Sequence, residues 1–239
     1  MDYEQLVQKV YQAVLRPGDV AVDIGAHIGH HTIPMADKVM PGGSIHAFEP
    51  LPMCRKVIED RLITDRHLRK IVKVYDIALG ETSASTEFVV ASDALAYSGL
   101  RERTYDKETR IERIPIKVRR LDDVLGDLRA LRYIKVDAEG GELHALRGAE
   151  GLIKRHAPVV GFEFGENSIS EYGITCADMG AFWLDRGYLL FDVLARPIKT
   201  VEEFVASARR QDVWDYVAIP AKKTSLTQIV LEALHAAIQ

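Results

Sequence analysis

Short apolar strands alternate with helix-like segments along most of this chain, and this alternation constrains the fold more than any other feature. Strand-like runs and amphipathic segments of this kind, taken in turn, are typical of a mostly parallel sheet covered by helices on both faces. The sequence therefore predicts an α/β, Rossmann-like fold with a seven-stranded, mostly parallel sheet. The predicted strands are residues 20–22, 44–48, 71–75, 133–137, 159–163, 188–193 and 214–219, and the predicted helices between them are 31–36, 53–62, 142–156 and 179–186.

The alternation is interrupted once, before the fourth strand. Two strand-like runs, 86–90 and 114–118, flank the polar stretch 92–112, which predicts an antiparallel insertion over 86–118 with a flexible loop. Helices are predicted at both ends, over 1–15 and 225–239; the second either caps the domain or pairs with another copy in a homodimer. We expect a single domain over 1–239, because the chain has neither internal repeats nor a low-complexity linker.

Charge and hydropathy exclude several classes of protein. The net charge of −4 argues against a general nucleic-acid binder, and no run approaches the ~18 apolar residues of a membrane span. The first residues do not have the basic-then-apolar pattern of a signal peptide. The two cysteines, Cys54 and Cys176, do not form a CxxC pair, so a zinc or redox site has little support. We expect a cytoplasmic protein.

A glycine-containing loop follows the first strand and is opened by an acid. Asp23, Gly25 and Gly29 form the pattern DxGxxxG at a strand-to-helix turn, where glycine lets the backbone approach a ligand closely. A pyrophosphate-binding loop has three glycines spaced GxGxxG and no opening acid. A carboxylate here repels phosphates and attracts the amino group of an aminoacyl tail, so the loop favours S-adenosylmethionine over NAD.

Acidic residues also end the next two strands. Glu49, followed by Pro50, is placed to accept hydrogen bonds from both hydroxyls of a ribose. Asp76, with Ile77 and Ala78, follows the third strand, where a polar side chain and a backbone amide can read an adenine edge. Taken singly, each acid could equally be a helix cap or a turn residue. Three such groups in order, each at a strand end, favour an adenosine-containing cofactor.

At these positions the chain resembles the FkbM family of methyltransferases, over about residues 16–165. The resemblance implies a seven-stranded methyltransferase fold and methylation of hydroxyl groups on sugars, polyketides and related natural products. It assigns cofactor binding to Asp23, Gly25, Gly29, Glu49 and Asp76, and the same stretches contain the further cofactor candidates Ala26, His27, Thr32, Pro50, Ile77 and Ala78. His27 departs from the family, which usually has asparagine there. The matching stretches are DIGAHIGHHT (23–32), HAFEP (46–50), DIALG (76–80), VRRLDD (118–123) and IKVDAEGGE (134–142).

Carboxylates at the ends of two later strands are the candidates for the chemistry. Asp137 and Glu163 lie at predicted strand ends on the cofactor side of the sheet, and Glu139 follows Asp137 closely. Asp137 is the candidate nearest the transferring methyl, as a cofactor contact and as a base for a weakly nucleophilic hydroxyl. Lys135 shares a face with Asp137 and is expected to pair with a carboxylate. Magnesium held by Asp137, Glu163 and Asn167 is an alternative that no ligand spacing supports, so no metal site is assigned.

The predicted function is S-adenosylmethionine-dependent O-methylation of a small-molecule or glycan acceptor. Two rivals remain at this point, an NAD-dependent oxidoreductase on the same architecture and a degenerate methyltransferase that serves as a binding module. Histidines near the loop, His27, His30 and His31, are alternative bases, although each is explained as well by a role in the loop or a helix cap.

Overall fold

The structure is a computed structural model that describes residues 2–102 and 109–238. Its strands are β1 Val20–Ile24, β2 Ser44–Phe48, β3 Val72–Tyr75, β4 Ala78–Leu79, β5 Ala84–Ala91, β6 Ile111–Arg119, β7 Tyr133–Val136, β8 Val159–Glu163, β9 Tyr188–Asp192, β10 Pro197–Ile198 and β11 Asp215–Pro220. Its α-helices are α1 Tyr3–Val14, α2 Thr32–Val39, α3 Pro52–Thr64, α4 Leu68–Ile71, α5 Leu121–Leu125, α6 Glu142–Arg147, α7 Glu150–His156, α8 Cys176–Leu184, α9 Val201–Arg210 and α10 Thr224–Ile238.

The main sheet has the strand order β10-β9-β11-β8-β7-β1-β2-β3. The five strands from β8 to β3 are parallel, whereas β11 is antiparallel to both β8 and β9. This confirms the predicted α/β fold with a mostly parallel sheet. The strands correspond to the seven predicted ones plus the two-residue edge strand β10, which is too short to carry an apolar pattern.

Successive side chains of a strand point to opposite faces of the sheet, so the buried strands give both faces an apolar surface. Helices cover both faces. In β1, Val22 and Ile24 pack into a core with residues of α5 to α9, while Ala21 packs into a second core with α1, α2 and α10. The direction of chain crossover reverses at β1, which lies between β2 and β7. In open α/β sheets ligands bind at the carboxyl ends of the strands beside such a reversal.

The insertion forms a second, small sheet. β5 and β6 pair antiparallel as predicted and extend beyond the predicted bounds, and β4 adds to β6 in parallel. In the stretch predicted to be a flexible loop, Leu95–Tyr97 forms a turn of 3-10 helix and Val89 bridges to Gly99. Residues 103–108 of that stretch lie outside the described residues.

One helix prediction was wrong, and the helices α4, α5 and α9 were not predicted. The helix predicted over 142–156 is two helices, α6 and α7, because Gly148 packs against the backbone of Gly80, where a Cβ would overlap the Gly80 carbonyl oxygen. The helix α9 was not predicted, although Thr200 and Glu203 carry a Thr-x-x-Glu capping signal, and the Thr200 hydroxyl accepts the Glu203 N–H at 3.2 Å.

The terminal helices pack against each other. Leu226, Val230 and Leu234 of α10 are buried in the same core as Leu6 and Val10 of α1. The last helix thus packs against the first helix of the same chain. Among the helices of residues 2–102 and 109–238, none combines the length and apolar character needed to cross a membrane.

Candidate active site

A cavity of about 390 Å³ opens at the carboxyl ends of β1, β2 and β7. This volume lies in the usual range of small-molecule sites, roughly 300–1,000 Å³. The insertion closes one side of the cavity with apolar side chains, and α1 contributes an acid on another. The predicted site residues that line it are Gly25, Ala26, His27, Glu49, Pro50, Ile77, Ala78, Asp137 and Glu139.

The loop after β1 is held tightly against the end of β7. Gly25 has φ +75°, a left-handed conformation that favours glycine, and a Cβ there would overlap the carbonyl oxygen of Asp137. His27 also has a positive φ, +47°. Asparagine and histidine both tolerate this region better than most residues, which explains how His27 replaces the usual asparagine of the resembled family. Gly25 therefore fixes the distance between two walls of the cavity.

Asp23 and Thr32 lie beneath this loop and do not line the cavity. Asp23 is fully buried, and its Oδ2 accepts a hydrogen bond of 2.6 Å from the Thr32 hydroxyl. The other oxygen, Oδ1, has no hydrogen-bond partner among the described residues. Gly29 lies behind the loop, against Ile58. These three residues connect β1 to α2, so their effect on a ligand acts through the position of the loop.

Glu49 is a buried acid in the cavity wall, with only 4% of its surface exposed. Its carboxylate accepts backbone N–H groups from His27 and Leu51, both at 2.7 Å. Burial raises the pKa of Glu49 to about 7, against the lowering effect of these two N–H groups. Each carboxylate oxygen retains a lone pair for a further donor. Glu49 thus joins the loop after β1 to the loop after β2 and can also bind hydroxyl groups.

Asp137 and Lys135 form an ion pair at the end of β7. Lys135 is 7% exposed, lines the cavity, and donates from Nζ to Asp137 Oδ2 at 3.0 Å, as the sequence predicted. Burial alone lowers the pKa of Lys135, but the charges of Asp137 and Asp23 outweigh it and raise that pKa. Lys135 therefore stays an ammonium, and Oδ1 of Asp137 is not used by this hydrogen bond.

A second buried acid shapes the loop that carries Asp137. Glu142 Oε1 accepts the backbone N–H groups of Ala138 at 2.8 Å and Gly140 at 3.0 Å. Burial raises the pKa of Glu142 to about 7, opposed by the same N–H groups. Glu142 is therefore an internal brace for this loop, in addition to being the acidic residue in the first turn of α6.

Besides the residues beneath the loop, two further predicted site residues lie apart from the cavity wall. Asp76 is exposed and does not line the cavity, although its neighbours Ile77 and Ala78 do. Glu163, at the end of β8, pairs in register with Asp215 of β11 and is not among the lining residues. Burial first, and then the charges of Asp137 and Asp215, raise the pKa of Glu163 well above its usual value.

The sequence did not single out two contributors to the cavity. Glu4, on α1, lines it and contacts Nε2 of His31 at 2.6 Å. The insertion supplies Phe88, Leu95 and Leu100 to the apolar wall. The amphipathic pattern of α1 shows which side is polar, yet it cannot show that this helix lies beside the loop after β1.

A metal site has no support in the described part of the chain. Within residues 2–102 and 109–238, no group of three or more histidine, cysteine or acidic side chains is arranged to hold an ion. Asn167, the third residue considered as a magnesium ligand, donates from its amide nitrogen to Gln211 at 3.0 Å.

Comparison with known proteins gives a consistent family. The model described as the methyltransferase FkbM domain matches residues 23–190. The 31-O-demethyl-FK506 methyltransferase FkbM of Streptomyces tacrolimicus is 27% identical over 163 residues, which cover 57% of this chain and 61% of that protein. Methyltransferase 1 of Beauveria bassiana (strain ARSEF 2860) is 28% identical over 165 residues, covering 62% and 65%. The matched part thus spans less than two thirds of these curated relatives.

Solved structures agree on the fold. The methyltransferase FkbM from Methylobacillus flagellatus KT superposes with a TM-score of 0.54 at 20% identity, covering 91% of this chain and 55% of that one. A putative rRNA-methylase from Clostridium thermocellum has a TM-score of 0.50 at 10% identity, covering 91% and 96%. At these identities the likeness concerns the fold alone. The family match, in contrast, extends over more than half of the sequence and includes both walls of the cavity, and the chain therefore belongs to the FkbM methyltransferase family.

Proposed function

We propose that this chain is an S-adenosylmethionine-dependent O-methyltransferase that acts on a hydroxyl of a sugar, glycolipid or natural product. The observation that carries the proposal is that one cavity contains both Glu49, an acid suited to ribose hydroxyls, and the Asp137–Lys135 pair. Family membership supports methyl transfer. The name of the Streptomyces relative, a 31-O-demethyl-FK506 methyltransferase, supports oxygen as the atom that is methylated.

The residues of the cavity fit the proposed cofactor. Glu49 has lone pairs to spare for two hydroxyl groups, and Phe48, Ile77 and Leu79 offer an apolar surface for a purine. The orphaned Oδ1 of Asp23 adds negative potential beneath the loop, which favours a cationic amino group. We therefore assign the cofactor to the loops after β1, β2 and β3, where Gly25, Ala26, His27, Pro50 and Ala78 complete the wall. When bound, S-adenosylmethionine supplies an electrophilic methyl group on a sulfonium.

The chain's own part in the reaction is to align the acceptor oxygen and take its proton. Asp137 is our candidate base, because its Oδ1 is not used by Lys135 and its side chain lines the cavity. Lys135 holds the carboxylate in one orientation through Oδ2. The brace from Glu142 fixes the loop that follows, including Glu139, the next acid in the wall. A base held in place in this way typically contributes about 10²–10⁴-fold in rate.

The rival functions are less well supported. An NAD-dependent oxidoreductase needs a phosphate cradle, whereas the loop here has two glycines and an acid beneath it. Methylation of RNA, suggested by the putative rRNA-methylase of similar fold, requires a basic surface, and this chain has a net charge of −4. A non-catalytic module has no need for an acid and an ammonium buried at the cavity wall.

Cofactor binding and methyl transfer can be tested separately. Calorimetry with S-adenosylhomocysteine measures the first, and we expect micromolar affinity or better. Incubation with methyl-labelled S-adenosylmethionine and a panel of glycosides, polyketide alcohols and cell extracts measures the second. Label in a base-stable ether would support O-methylation, whereas protein-bound nicotinamide or label only in RNA would favour a rival.

A further inference from the structure

A polar groove runs along α1 and leads into the active-site cavity. The groove, about 370 Å³, is lined by Asp2, Glu4, Gln5, Gln8, Lys9, Gln12 and His30, which we call the α1 groove. Glu4 and His30 also line the active-site cavity. The α1 groove and the active-site cavity therefore meet at these two side chains.

The helix presents this polar face rigidly. Leu6, Val10 and Val14 on its opposite side are buried in the core shared with α2 and α10. The side chain of Asp2 caps the helix by accepting the N–H of Gln5. The backbone that carries the groove residues is thus fixed, so a ligand need not order the helix itself on binding, which lowers the cost of association.

Glu4 is fixed at the junction of the groove and the cavity. Its Oε2 contacts Nε2 of the buried His31 at 2.6 Å, and Nδ1 of His31 lies 3.4 Å from the hydroxyl of Tyr11. Glu4 is nevertheless the exposed partner, so its carboxylate can still accept hydrogen bonds from a ligand. A carboxylate that is held by His31 on one side and exposed on the other suits the recognition of a hydroxyl group.

The chemistry of the groove matches neutral groups with many hydroxyls. Side-chain amides such as those of Gln8 and Gln12 both donate and accept hydrogen bonds, as sugar hydroxyls do. Two carboxylates, Asp2 and Glu4, face one ammonium, Lys9, so the groove has a slight negative excess. That excess disfavours phosphates and other anions. Gln8 already contacts the ring of His30 at 3.3 Å, which holds both side chains at the groove wall.

We infer that the α1 groove is an acceptor subsite that binds a neutral glycosyl group next to the hydroxyl that is methylated. The inference rests on the proposed function, which it deepens by naming the acceptor class and the surface that selects it. Glu4 binds a hydroxyl at the junction, and Gln8 and Gln12 bind the neighbouring hydroxyls of the ring.

Nuclear magnetic resonance tests the inference through the glutamine side chains themselves. The protein, saturated with S-adenosylhomocysteine, is titrated with methyl glycosides of glucose, galactose and mannose. We expect the side-chain amide signals of Gln8 and Gln12 to shift at millimolar glycoside. The double variant Gln8→Ala, Gln12→Ala, followed through the backbone amide signals of Glu4 and His30, should bind about tenfold more weakly, because two neutral hydrogen bonds are lost. Gln228→Ala, an exposed glutamine change on α10, is the matched control and should bind as the wild type does.

Three results would overturn the inference. They are glycosides that shift no signal of the groove, unchanged binding in the double variant, and inorganic phosphate that shifts the groove more strongly than the glycosides do. The affinity for S-adenosylhomocysteine, measured on the same samples, distinguishes failure of the subsite from failure of the proposed function. A wild-type protein that binds S-adenosylhomocysteine but binds no glycoside at the groove refutes the subsite alone, whereas a wild-type protein that does not bind S-adenosylhomocysteine refutes the proposed function.

Discussion

Replacing Glu49 with glutamine should change both the strength of cofactor binding and its dependence on pH. The carboxylate is buried, accepts two backbone N–H groups at 2.7 Å, and has a pKa raised by burial from 4.5 to about 7. In the free protein near pH 6 the side chain is therefore mostly neutral. Ribose hydroxyls donate hydrogen bonds to the charged form, so binding selects the carboxylate and releases a proton.

The sign and size of the effect follow from this linkage. Below about pH 7 the affinity for S-adenosylhomocysteine should rise by nearly tenfold for each pH unit, and above that value it should level off. The stability of the free protein should change in the opposite direction. A carboxyl whose pKa is raised on folding stabilises the fold fully below pH 4.5 and loses that contribution as pH rises through about 7. The loss amounts to about 3.5 kcal/mol at most, since each unit of pKa corresponds to about 1.4 kcal/mol.

Calorimetry between about pH 5 and about pH 8 measures the affinity directly. Glu49→Gln should bind more weakly by about 1–3 kcal/mol above pH 7, because a charged acceptor is lost, and its affinity should vary little with pH. Glu87→Gln, an exposed glutamate on β5, is the matched control and should retain the wild-type profile. A flat profile in the wild type, or the same slope in Glu49→Gln, would refute the reasoning. The second result would mean that another buried acid, such as Glu142, causes the pH dependence.

Further predictions concern the supports of the site. Gly25→Ala should lower the free energy of unfolding by clearly more than Gly173→Ala in a denaturant titration. Both residues have a positive φ, which costs about 1–2 kcal/mol for a residue with a Cβ. Only at Gly25 would the Cβ also meet a backbone atom, so equal losses of stability in the two variants would contradict the close approach. Lys135→Met should destabilise the fold by about 3–5 kcal/mol, since it leaves a carboxylate without its buried partner. The double variant Lys135→Met, Asp137→Asn should recover part of that loss of stability. If the two single changes were strictly additive in the double variant, the ion pair would be contradicted. Glu142→Ala should leave two backbone N–H groups unpaired and cost about 2–4 kcal/mol, while Glu142→Gln should cost much less; equal costs would exclude the brace.

The parts of the site that the sequence predicted are those set by local chain direction. An acid directly after a parallel strand lies at the carboxyl edge of the sheet whatever the rest of the chain does. Glu49 and Asp137 were placed in this way, and both line the cavity. Asp76 follows the same rule in sequence, yet its side chain is exposed, because the turn after β3 directs Ile77 and Ala78 inward instead.

The missing parts depend on contacts between distant residues. The carboxylate of Asp122 accepts the N–H groups of Gly151 and Leu152, at 2.8 and 2.9 Å, and so begins α7 from a position about thirty residues away. Gly148, which ends α6, is a local signal of a break, but the sequence around it does not show that Asp122 begins a new helix two residues later. The position of Glu4 has the same origin, because it depends on how α1 packs against α2 and α10.

Methyl transfer by wild type and Asp137→Asn, compared at equal cofactor occupancy, tests the proposed function most directly. The assay follows label from S-adenosylmethionine into the acceptor panel, with and without a chelator, while calorimetry checks S-adenosylhomocysteine affinity. We expect Asp137→Asn to keep nearly all of that affinity and to lose about 10²–10⁴-fold in turnover, the usual cost of removing a general base. We also expect the chelator to leave wild-type turnover intact. Wild-type turnover in Asp137→Asn would contradict the assignment of the base, and a wild-type protein that binds the cofactor but transfers no methyl group to any acceptor would contradict the function itself.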